Sequence, residues 1–119
     1  MVLEHDSVTV APHVLISLIS AAVCAVPGVA RPGQVPRWRG GILTAKDAGF
    51  ALRTDPGGVS VDCYLVALPD TNLLEMGAAV QASIGRVLSE LVGVAVREVN
   101  VFIEDVAEPT TAGETVGHG

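Results

Sequence analysis

Histidine and cysteine are the side chains with which this chain could hold a metal or build a nucleophile, and their spacing serves neither purpose. His5, His13 and His118 are spread over an N-terminal lead, a helix start and a C-terminal tail, so they do not form the close ligand set that zinc requires. Cys24 and Cys63 lie in apolar segments without CxxC or Cys/His spacing, and two such cysteines read as buried, reduced thiols. Pairing either with His13 would need the fold to bring them together, and neither has a flanking basic group to lower its pKa. The carboxylates Glu104 and Asp105 are adjacent on an expected strand and would point to opposite faces, which makes a poor acid/base pair. Gly40-Gly41 and Gly57-Gly58 lack the strand–glycine–helix context of a phosphate loop and read as turns. Catalytic residues, metal ligands and a cofactor site are therefore not assigned, and the expectation is a protein that is not an enzyme.

Binding is better provided for than catalysis. The formal net charge is −6, yet Arg31, Arg37, Arg39, Lys46 and Arg53 fall in one third of the chain, opposed there by Asp47 and Asp55. An acidic protein repels nucleic acid, so no nucleic-acid partner is expected, while the local basic block could dock on an acidic or lipid surface. Trp38 sits between Arg37 and Arg39, the composition of a binding hot spot. Asn100, a polar residue between Val99 and Val101, reads as a solvated side chain or a tie at a strand irregularity, with an interface contact as the alternative. Arg31, Arg37, Trp38, Arg39, Lys46, Arg53 and Asn100 are thus the candidate partner-binding residues. Trp38, Phe50, Tyr64 and Phe102 are the aromatics of the chain. Its core must be filled by Val, Leu, Ile and Ala, and stacking of a base or flavin is not expected.

The elements that would carry these residues follow from periodicity. Residues 7–11 alternate as a short strand, and Pro12 opens a helix whose stripe is Leu15, Leu18, Ile19, Ala22 and Val26, stopped by Pro27-Gly28. Residues 30–41, rich in proline and glycine, read as a mobile connection. A meander follows: 42–45, 50–54 and 59–67, with Asp55-Pro56-Gly57-Gly58 as a turn. In its last strand Val59, Val61, Cys63, Leu65 and Ala67 share the core face. Ser60, Asp62 and Tyr64 share the other, which should meet solvent or a second subunit. Asn72 and Glu75 form a capping box for a second helix running to Leu91. The small residues Gly77, Ala78, Ala82, Gly85 and Ser89 on that helix suggest close approach of the first helix. Gly93 closes it. The alternation of Val94 and Val96 resumes out of phase at Val99, Val101 and Ile103, which predicts a β-bulge at Arg97-Glu98. Together these give an α+β fold of two layers: two helices on one face of a mixed sheet, order β-α-β-β-β-α-β with a bulged last strand. One domain over 7–106 is expected, with a flexible lead at 1–6 and a disordered tail at 107–119. The longest apolar run, residues 14–26, is shorter than the ~20 residues of a transmembrane helix. The N-terminus carries Glu4 and Asp6 where an export signal would be basic.

Three motifs in order carry a resemblance: Val26-Pro27-Gly28-Val29 after an apolar helix, Asn72-Leu73-Leu74-Glu75-Met76-Gly77 with Val80-Gln81, and Gly93-Val94 before Val96-Arg97-Glu98-Val99-Asn100-Val101. Over residues 7–106 the chain resembles the alkaline-shock and general-stress protein family of Gram-positive bacteria, described as envelope stress response proteins. Ala25 and Leu74 depart from that pattern, which often has an acidic residue and a proline there, and the Arg/Trp connection has no counterpart in it. The resemblance implies a non-enzymatic cytoplasmic assembly or scaffold protein, a homo-oligomer, held at the inner membrane face by a membrane-anchored protein partner. The alternative expectation is a small-ligand or regulatory binding subunit of a metabolic enzyme, with a cysteine-dependent enzyme third.

Overall fold

The computed structural model describes residues 3–5, 8–36, 43–45 and 49–108. Strands β1 (Leu3–His5) and β2 (Val8–Val10) pair antiparallel as a small two-stranded sheet, so the lead expected to fray holds a strand. Helix α1 (Pro12–Cys24) starts on proline, after an Ala11 whose side chain makes no cap bond. Strand β3 (Val29–Pro32) follows the Pro27-Gly28 stop, where the composition suggested a mobile connection. Proline closes β3, and its backbone shortfall costs little there because a strand end needs fewer ladder bonds. Strands β4 (Leu43–Ala45), β5 (Phe50–Asp55) and β6 (Gly58–Ala67) form the expected meander. Helix α2 (Leu73–Arg86) runs into a π-helical segment, Val87–Val92, and strand β7 (Val96–Val106) ends the described fold.

The main sheet is mixed. Antiparallel β5 and β3 lie end to end along one edge of β6, and β4 continues outward from β5. The two segments meet at Tyr64, which donates its N–H to the Gly49 carbonyl and accepts from the Gly33 N–H, both at 2.7 Å. Along its other edge β6 pairs in parallel with β7, a connection that α2 makes possible by crossing the sheet. Both helices cover one face. Leu15, Ile19 and Val23 of α1 and Met76, Val80 and Ile84 of α2 meet Phe50, Leu52, Val61, Cys63 and Leu65 of the sheet in a single buried cluster. Each fully buried aliphatic side chain there contributes about 2 kcal/mol.

The predicted bulge is present. Val59 pairs with Val96 but Ser60 with Glu98, leaving Arg97 outside the ladder. A second irregularity, between Leu65 and Val66, leaves out Glu104. Its signal is the spacing of three from Ile103 to Val106, which breaks the period of two once more.

The other sheet face differs from the expectation. Ser60, Asp62, Tyr64 and Val66 are buried rather than open to solvent or to a second subunit. Val35, just beyond β3, packs with Ala51 and Tyr64, and the Tyr64 and Phe102 rings stack with centroids 4.8 Å apart. The small-residue stripe on α2 also differs: a Cβ on Gly77 or Gly85 would meet nothing within 4 Å. Helix α1 therefore does not close on that stripe, and Ala78, Ala82 and Ser89 are exposed.

Candidate partner-binding surface

The basic residues singled out from the sequence do not converge among the described residues. Arg37, Trp38, Arg39 and Lys46 lie outside them. Arg31 is exposed on β3. Arg53 and Asn100, by contrast, are brought together from β5 and β7 by Asp62 of the central strand. Arg53 Nη1 is paired with Asp62 Oδ2, and Asn100 Nδ2 donates to Asp62 Oδ1 at 3.0 Å. The β6–β7 register sets Asn100 directly beside Asp62. Asp62 is 1% exposed, and a carboxylate so buried is tolerated only when its oxygens are occupied in this way. Asn100 thus ties β7 to the central strand rather than lying on a purely solvated face. Sequence reasoning placed Asp62 on a wet face because strand alternation alone does not reveal that Val35, beyond β3, packs on that face against Ala51 and Tyr64.

The thiols also separate. Cys63 is buried, and desolvation, with a smaller contribution from Cys24, pushes its pKa from 9.0 up to about 12. Such a group is a protonated core side chain at neutral pH, not a nucleophile. Cys24 is exposed, contrary to the expectation of two buried thiols. Among the described residues no group of three or more His, Cys, Asp or Glu side chains could hold a metal ion. No described helix is long and apolar enough to cross a membrane.

Two concavities flank α2. One, of about 370 Å³, lies between the end of α1 and the start of α2 and is lined by Val26, Pro27, Gly28, Thr71, Asn72, Glu75, Met76 and Ala79. Two of the resembling motifs meet here, and two of its polar residues are engaged with each other: the Glu75 N–H donates to Asn72 Oδ1 at 3.1 Å, and Asn72 Nδ2 donates to Glu75 Oε2 at 3.3 Å. These bonds cap the helix. The other, of about 190 Å³, runs between α2 and β7 and is lined by Leu73, Leu74, Gly77, Ala78, Gln81, Val101 and Ile103. Leu74 beside it is 88% exposed, and Leu91 at the far end of the same helical run is 62% exposed.

Three variants of a MamM CTD share the fold, at 20% identity and TM-scores of 0.50 to 0.52, over 78 to 81% of this chain and 95 to 96% of theirs. None of the curated proteins matches the chain. The family model for alkaline-shock protein 23, described by a cell envelope-related function, matches residues 2–108. That match spans both helices and every strand, including the bulged β7 and the capped start of α2, so the chain belongs to the alkaline-shock protein 23 family.

Proposed function

We propose that this protein is a non-enzymatic assembly or scaffold component serving the cell envelope through protein–protein contacts. The observation that carries the reading is the placement of large apolar side chains on the outside of α2 and its π-helical extension, Leu74 and Leu91 above all. Neither belongs to the buried core among the described residues, and a partner that covered them would gain up to about 2 kcal/mol for each. The family's cell envelope-related function gives the setting. Self-association, a membrane-anchored partner and a position at the inner membrane face belong to the same proposal. The ligand-binding alternative draws less support, because Asn72 and Glu75, two of the polar residues lining the larger concavity, bind each other.

The test is photo-crosslinking in the native cell from positions 74 and 91, with position 57 on the β5–β6 turn as a comparison site. Specific adducts from 74 and 91 that disappear in a Leu74→Glu, Leu91→Glu double variant are expected. Absence of adducts at both positions would overturn the reading.

A further inference from the structure

The outer edge of β7 has a direction that can be worked out. Tyr64 spends its N–H and C=O on Gly49 and Gly33, toward β5 and β3. The odd-numbered residues of β6 therefore point their backbone groups at β7, as the Val59 N–H does in donating to Ala95 at 2.9 Å. In the parallel register, Val61, Cys63 and Leu65 stand opposite Val99, Val101 and Ile103. Those three residues must then turn their own N–H and C=O groups away from β6. Gln81 of α2 confirms the direction, since its Nε2 donates to the Val99 carbonyl at 3.1 Å. Among the described residues no strand pairs with this edge. Gln81 blunts it at Val99, and the groove of about 190 Å³ opens beside Val101 and Ile103.

We infer that this edge and groove receive an extended segment of a partner protein, apolar at alternate positions and carrying Lys or Arg between them. The inference rests on the reading that the protein acts through protein contacts. An added strand would take the backbone groups of Val101 and Ile103 and send every second side chain into the groove under Leu73, Leu74, Gly77 and Ala78. Gly77 leaves room for them, with nothing within 4 Å of where its Cβ would stand. The charge selects the occupant. Exposed Glu98 and Asp105 on β7 outweigh Arg97, while the Glu104 carboxylate is turned across β6 to accept from the Gln34 N–H at 2.8 Å; this balance favours a basic strand and disfavours a second copy of β7. A two-fold antiparallel self-pairing centred on Val101 would bring Glu98 of each copy toward the acidic Glu104-Asp105 end of the other, twice over, an unfavourable like-charge arrangement.

The experiment titrates the full chain with a short capped peptide alternating Val with Lys, followed by amide exchange and NMR shifts. Two comparison peptides replace Lys by Glu, or Val by Pro. Expected are slowed exchange at Val101 and Ile103 with the Val/Lys peptide, loss of that protection with the Pro peptide, and weaker binding with the Glu peptide. Gly77→Leu fills the groove and should weaken binding about tenfold while the thermal midpoint stays equal or rises. Unchanged exchange at Val101 and Ile103, or binding insensitive to Gly77→Leu in a folded variant, would overturn the site. Protection of the same amides that grows with protein concentration in the absence of peptide would instead make a second copy the occupant and overturn the choice made here. Should the peptide fail while adducts from positions 74 and 91 persist, the site falls and the assembly reading stands.

Discussion

At the scale of single residues, Asp62 is a buried polar group held by partners from two strands. It sits on the central strand, and its two carboxylate oxygens draw in Arg53 from one neighbouring strand and Asn100 from the other. Asp62→Ala should destabilise the fold by about 1–3 kcal/mol. The lower part of that range applies because the Arg53 side chain is 30% exposed and regains water. Asn100→Ala should cost about 1 kcal/mol. Urea midpoints of both variants check this, and an Asp62→Ala midpoint equal to wild type would contradict the arrangement. Cys63 supplies a pH dependence. Its thiol pKa is 9.0 in an unperturbed setting and about 12 in the fold. The folded state therefore holds its proton where the unfolded state has lost it. Its contribution is fully present below pH 9.0 and declines as pH rises toward about 12, by up to about 1.4 kcal/mol per pH unit. Cys63→Ala should flatten that decline in a pH series of thermal midpoints. At pH 8 a thiol reagent should modify Cys24 and leave Cys63 untouched until the protein unfolds.

At the scale of elements, α2 is the best-specified piece and also the one whose composition misleads. Its start was legible in Asn72 and Glu75, and Asn72→Ala should cost about 1 kcal/mol of stability by removing the cap. Its end was legible in Gly93, which holds φ 80° as the left-handed closing residue. Its glycines were not, because a small residue on a helix has two readings. It can admit a neighbouring backbone, or it can leave a surface open. Only the position of α1 decides between them. Since a Cβ at Gly85 meets nothing within 4 Å, Gly85→Ala should stabilise the protein by about 1 kcal/mol, whereas burial against α1 would have made it destabilising. Calorimetry distinguishes the two signs. Strand β3 escaped sequence reading for a related reason: Val29–Pro32 is too short, and too rich in punctuation around it, to show a period. The bulge at Arg97 was readable because the apolar set on both sides of it is strong.

At the scale of the molecule, the two-layer α+β plan came through because α2 and β6 carry long, unambiguous apolar stripes that must face each other. The candidate binding residues came through less well. Types and charges can be read from a chain, but convergence cannot, since Arg53 and Asn100 are brought to one point by a residue that alternation had placed in water. The surface around Leu74 and the outer edge of β7 was hidden for the same reason, being defined by the absence of a covering strand among the described residues. On the far face of the sheet the central strand is buried at Ser60, Asp62, Tyr64 and Val66, which is why the proposed partner surface is placed along the α2 side of β7.

The paired irregularities of β7 also make the strand a ruler with two slack ends. Between Arg97 and Glu104 every residue from Glu98 to Ile103 is matched one to one with Ser60 through Leu65. Losing one residue inside that interval would exchange Asn100 and Phe102 with the apolar set, turning Asp62 and the core against the wrong partners. Arg97 and Glu104 already stand outside the ladder, so a one-residue deletion at either is absorbed by straightening the strand. Length variation in this protein should therefore be tolerated at those two positions and eliminated between them, a pattern that a deletion scan read by soluble yield would reveal.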